Sequence, residues 1–214
     1  MAISATYNYV RSRQLEGTYP GDRSLGTWIT TAQRVTRGWG APDENEWAPS
    51  QEDRTWPYSE PPGLDAKAKK NRIQYYQRIR SAIDCRKTLH QLGAIVAAFE
   101  ITEQWFNAPG GIINLPESDA PLVGSHAVTL VRSKTNKREF TFMNSWGKDW
   151  GSRGLGILTY EFFDRHLIEA WIPSGPYHYP WGSDHQGIIE SERGLRDYLG
   201  GVLHLKEIYD ATND

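Results

Sequence analysis

The chain has 214 residues, with 24 Lys+Arg against 26 Asp+Glu, a formal charge of −2, six His and one Cys. So even a balance excludes nucleic-acid binding that rests mainly on phosphate neutralisation, and 38% hydrophobic with 23% charged residues excludes an extended disordered chain. The lone Cys excludes an internal disulfide and a Cys-cluster zinc site. No run approaches the roughly 18 apolar residues of a membrane span. Met1 to Gln14 lacks the apolar core of a secretory signal, so a cytoplasmic chain is expected.

The first fifteen residues are polar with scattered Tyr and Val and predict at most a short helix. Thr18 to Asp22 reads as a turn. Ser24 is placed to cap a helix over 25–37, with Trp28, Ile29, Ala32 and Val35 on its apolar face. Residues 38–64, dense in Gly, Pro, acids and Trp, predict irregular structure. Asp65 to Leu92 predicts one helix, or two with a turn near Asn71. The period then changes. Ala94 to Ile101 is an apolar run of strand length, 107–124 a Gly/Pro loop, and 125–132, 139–145 and 155–160 three strands separated by turns. Glu161 to Arg165 predicts a helical turn, 173–190 an aromatic-rich loop, 191–199 a short helix and 201–209 a strand. Helices first and strands second predict an α+β fold with segregated lobes.

The chemistry lies in Gly124-Ser-His126-Ala-Val-Thr-Leu-Val131 and in Phe140-Thr-Phe-Met-Asn144-Ser-Trp146-Gly147. One strand starts beside an imidazole and the other ends in an amide. A side-chain carbonyl accepting from one ring N–H fixes the tautomer and aims the other nitrogen outward. The Trp146 ring is placed to shield that bond. His126 is therefore the candidate base and Asn144 its orienter. Ser125 is disfavoured as a nucleophile, because neighbouring strand residues point to opposite faces.

These two motifs, in this order and 18 residues apart, resemble the papain family of cysteine peptidases. Trp56-Pro57-Tyr58, the segment from Tyr75 to Phe99, and Pro20-Gly-Asp-Arg-Ser-Leu-Gly26 extend the likeness over about residues 20–172, closest to bacterial members without disulfides. The resemblance implies a papain-like fold. Residues 1–92 would form an incomplete helical lobe, 93–172 an antiparallel, barrel-like β lobe, and 173–214 an extension without counterpart. It implies Gly26, Ser125 and Trp146 as substrate-binding residues, and it calls for no cofactor and no metal.

In the family the nucleophilic Cys opens a long helix upstream of the stretch resembled by Gly21–Gly26, and this sequence has no Cys there. Cys85 is the only thiol. It is the alternative nucleophile candidate: Arg86 and Lys87 could stabilise its thiolate, but it falls inside a predicted helix next to Asp84, where the helix dipole gives no help, and a structural thiol is the preferred reading. The sequence is thus expected to encode a pseudopeptidase that binds peptide or protein without cutting. One alternative is part of an active split, processed or truncated peptidase whose Cys lies on another segment. The other is a non-catalytic assembly subunit. An incomplete helical lobe would expose apolar surface, to be covered by a second polypeptide, the tail or self-association. No nucleic-acid or membrane partner is expected. The basic residues between Lys67 and Lys87 read as a solvated face, and the aromatics Tyr177, Tyr179 and Trp181 as a partner loop or as tail packing.

Overall fold

The computed structural model describes residues 3–48 and 56–174. The expectations for 175–214, including the aromatic loop with its His residues, the short helix and the final strand, lie outside the described residues. The chain divides into two compact units, the first including residues up to Tyr76 and the second running from Gln77 to Ile172.

In the first unit, α1 (Ala5–Leu15) starts where the Ser4 side chain accepts the Tyr7 N–H. The helix is polar by sequence, yet Tyr7, Asn8, Tyr9, Val10, Ser12 and Arg13 are all buried. Burial is tolerated because the polar groups find partners. Asn8 donates to Thr36 Oγ1 at 2.8 Å, and the Tyr7 hydroxyl donates to Asp65 at 2.7 Å.

Helix α2 (Ile29–Gly38) begins four residues later than the sequence suggests. The reason is local. The Ser24 N–H and hydroxyl both bond Asp22 Oδ1 at 2.8 Å, so the expected cap is engaged in the preceding turn. Glu16 instead accepts from Thr27 Oγ1 and the Trp28 N–H. Trp28, expected on the apolar face, is 58% exposed.

Residues 64–92 are not all helical. A five-residue helix, α3 (Leu64–Ala68), is followed by a 3₁₀ turn and a strand, β1 (Tyr75–Ile79), and only then by α4 (Ala82–Leu92). Gly40, at φ 90°, passes so close to α3 that a Cβ would lie 2.0 Å from the Ala68 carbonyl oxygen, so no other residue fits there. A core of Tyr7, Tyr9, Val10, Val35, Trp47, Tyr58, Leu64 and Ala68 unites this unit.

The second unit is built on a sheet. Its strands are β2 (Ile95–Ile101), β3 (Ile112–Ile113), β4 (Gly124–Lys134), β5 (Glu139–Met143), β6 (Leu155–Thr159) and β7 (Leu167–Ser174). With β1 the order is β1-β7-β2-β4-β5-β6-β3. The two end strands do not meet, so the described sheet is open rather than barrel-like. Strands β4, β5 and β6 stand as expected to within two residues. β7 lies in a segment read partly as loop. Helix α4 packs with this unit. It opens at Ser81, whose hydroxyl accepts the Asp84 N–H, and its Ala82 N–H donates to Asp164. Helix α5 (Tyr160–His166) is capped by Thr159. The two helices and the sheet enclose a core that includes Cys85, Leu89, Phe99, Trp105, Phe140, Phe142, Phe162 and Phe163. Among the described residues no helix is long and apolar enough to cross a membrane.

Candidate active site

His126 is the third residue of β4, paired across the ladder with Phe99 of β2. Strand alternation leaves Ser125 exposed and buries His126 to 2% exposure. Asn144 follows the last residue of β5. Its own N–H donates to the Gly154 carbonyl at 2.9 Å, which fixes where the strand ends. Across the sheet His126 Nε2–H donates to Asn144 Oδ1 at 2.7 Å. The same oxygen accepts the Ser145 N–H at 2.8 Å, so two donors orient the amide. A neutral imidazole that gives up its Nε2 proton to this bond carries its lone pair on Nδ1, the basic nitrogen.

Aromatic rings enclose the pair. Trp146 stacks on His126 with centroids 4.5 Å apart and planes 19° apart. Trp105 meets the imidazole edge-on at 6.0 Å. Trp150 stands perpendicular to Trp146 at 5.6 Å and donates its indole N–H to the Trp105 carbonyl at 2.8 Å. Phe106, 55% exposed, stacks on Trp146 at 5.2 Å. Rings in place of water strengthen the imidazole–amide bond by lowering the local dielectric. Trp146 thus covers one face of the imidazole. Trp105 and Phe106 were not anticipated: the only sequence signal is Gln-Trp-Phe just after an apolar strand, and such a pair reads equally well as core.

Ser125 adjoins the imidazole along the strand. Gly26 lies in the other unit, exposed in the loop before α2. Cys85 belongs to neither place. Its helix starts at Ala82, so the thiol sits in the first turn and not deep inside a helix as the sequence suggested. Burial disarms it instead. It is 0% exposed, and burial first, then the Asp164 carboxylate, raises its pKa far above the ordinary thiol value. His90 is exposed on α4, and His166 faces Glu100 at 3.7 Å. Among the described residues no group of three or more His, Cys, Asp or Glu is arranged to hold a metal ion.

Beside this geometry, a buried His oriented by an Asn carbonyl under a Trp, the model of the papain family cysteine protease matches residues 26–162, more than half of the chain, and that match decides the kinship. The chain belongs to the papain family. It is 28% identical over 183 residues to an uncharacterised peptidase C1-like protein of Acanthamoeba polyphaga mimivirus; the match takes in 79% of this chain and 58% of that relative's length. Among solved structures it is similar to xylellain, a cysteine protease from Xylella fastidiosa (TM-score 0.64, 24% identity, 81% of this chain and 70% of that one). It is also similar to the bromelain protease of Ananas comosus in complex with the E64 inhibitor (TM-score 0.55, 16% identity, 81% and 78%). At such identities these structures speak for the fold.

Proposed function

We propose that this chain is a papain-type module that takes an extended peptide and, on its own 214 residues, does not cut it. Ser125 and Trp146, beside the base, and Gly26, in the loop before α2, are each proposed as substrate contacts. The observation that supports inertness is Cys85: the single thiol is sealed in the core and held protonated, so the sequence supplies no usable nucleophile. The setting is proposed to be the cytoplasm, and peptide or protein to be the partner.

The intact His126–Asn144 bond favours a second reading, in which a sulfur on another segment completes a working site. His126 Nδ1 would then take the thiol proton, and the thiolate would form a C–S bond to the substrate carbonyl carbon. On collapse the C–N bond would break, and the imidazolium would return that proton to the leaving amine. Water, deprotonated by the same nitrogen, would next release the acyl group as a carboxylic acid and regenerate the thiol. Asn144 would hold the ring throughout.

One set of assays tests both readings. The purified chain is expected to release no fluorophore from peptidyl amides and to leave a peptidyl epoxide unreacted. Labelling that depends on His126 would refute inertness. Hydrolysis that appears only when a papain-type Cys-bearing segment is co-expressed, and that is lost in His126→Ala, would establish the second reading.

A further inference from the structure

A strand at the end of a sheet offers one row of backbone N–H and C=O groups to a further strand. In the order β1-β7-β2-β4-β5-β6-β3 the end strands are β1 and β3. β3 has two residues and little to pair with, whereas β1, Tyr75-Tyr-Gln-Arg-Ile79, has five. Edges are commonly blunted by Pro or Lys, and β1 contains neither. Its one charge is turned toward the sheet. The Arg78 guanidinium lies 5.9 Å from the Trp171 ring and donates to the Ile168 carbonyl at 3.4 Å, both on β7, the strand next to β1. Tyr75 is 57% exposed, and Gln77 and Arg78 are exposed as well.

The sequence of this edge matches itself. Laid antiparallel to a second copy about a two-fold axis at Gln77, β1 brings Tyr75 opposite Ile79, Tyr76 opposite Arg78, and Gln77 opposite Gln77. Like charges directly opposite one another destabilise a strand pair, and here none meet: each Arg78 faces a phenol ring, which attracts a cation. On the axis stands a carboxamide. It carries both a donor and an acceptor, so it pairs with its own image, where a Lys or Glu would repel itself. Tyr75, Gln77 and Ile79 share one face of the strand. The exposed Tyr75 ring therefore meets the second copy where its β1 ends, just ahead of Ile83, which is 42% exposed in the first turn of α4. A sheet continued across two copies covers the open edge and these apolar side chains together.

We propose that β1 is the surface through which two copies of this chain pair, antiparallel and centred on Gln77, so that one sheet runs across both. The pairing is independent of whether the chain cuts peptide. A contact built on five residues per copy belongs with small, weak interfaces, so concentration dependence tests it. Sedimentation equilibrium of the 214-residue chain, from about 10 µM to about 1 mM, is expected to show the mass rise from one chain toward two. Alternate β1 amides, those directed at the open edge, are expected to gain protection from hydrogen exchange over the same range. Gln77→Lys and Gln77→Glu, substitutions at an exposed position that put like charges on the axis, are each expected to weaken pairing about fivefold. Mixing the two variants is expected to restore it, which also shows that both are folded. One chain per particle throughout would overturn the proposal, and slow exchange at every β1 amide in that monomer would give the edge to another segment of the same chain. A dimer indifferent to both charges, or a mixture that associates no better than its components, would overturn the contact centred on Gln77.

Discussion

Replacing Asn144 by Ala probes whether one amide oxygen holds the imidazole. Two donors converge on Asn144 Oδ1, His126 Nε2–H at 2.7 Å and Ser145 N–H at 2.8 Å. His126 is 2% exposed, so water cannot replace the lost acceptor, and a stranded buried donor costs about 1–3 kcal/mol. Ser145 is half-buried and part of its loss is recovered by solvent. The sum is about 2–4 kcal/mol, read as a drop in the free energy of opening of the β4 and β5 amides by native-state hydrogen exchange. In the same variant the His126 Nε2 proton should exchange too fast to observe by NMR. Asn144→Asp, which keeps an acceptor oxygen at the same reach, should restore much of that protection. A cost under about 0.5 kcal/mol with a still-protected Nε2 proton would mean that the aromatic rings, not the amide, orient the base.

Three other outcomes are expected. Cys85 should resist iodoacetamide at pH 8 in the folded chain and react only at the rate at which the core opens; labelling faster than that opening would contradict the raised thiol pKa. Gly156→Ala would place a Cβ 2.2 Å from Cζ of Phe142, a fully buried ring that contacts Trp105 and Trp150. Overpacking of about 3 kcal/mol should lower the thermal midpoint and perturb the His126 resonances, and an unchanged midpoint would show that the ring has room. In the first unit, burial and then the hydrogen bond with Asp65 raise the Tyr7 pKa, so its contribution is complete below about pH 10 and disappears as pH rises through the folded value. Burial pushes Asp65 up, but hydrogen bonds from Tyr7 and Arg11 outweigh it and leave the carboxyl below its ordinary value. That contribution is complete above about pH 4 and is lost as pH falls. Tyr7→Phe should therefore flatten the alkaline limb of stability against pH and Asp65→Asn the acid limb, and parallel limbs in wild type and variants would refute the linkage.

What can be read along the chain is what neighbours in sequence decide. The alternation of Ser125, His126, Ala127 and Val128 fixes which side chain turns inward, and Asn144-Ser-Trp-Gly closes a strand with an amide and a ring within reach of it. The caps at Ser81 and Thr159 are equally local, yet the helical pattern over 65–92 hides the first of them. Tertiary structure decided the rest. Residues 75–79 join a sheet although the surrounding pattern suits a helix, because strand pairing needs a partner that lies far along the chain. Helix α1 is buried despite its polarity because Thr36 and Asp65, distant in sequence, satisfy it. The rings of Trp105 and Phe106 reach the base only through the packing of a 3₁₀ turn against Trp146 and Trp150. Whether a thiol is reactive depends on desolvation that exists only once those distant residues have met.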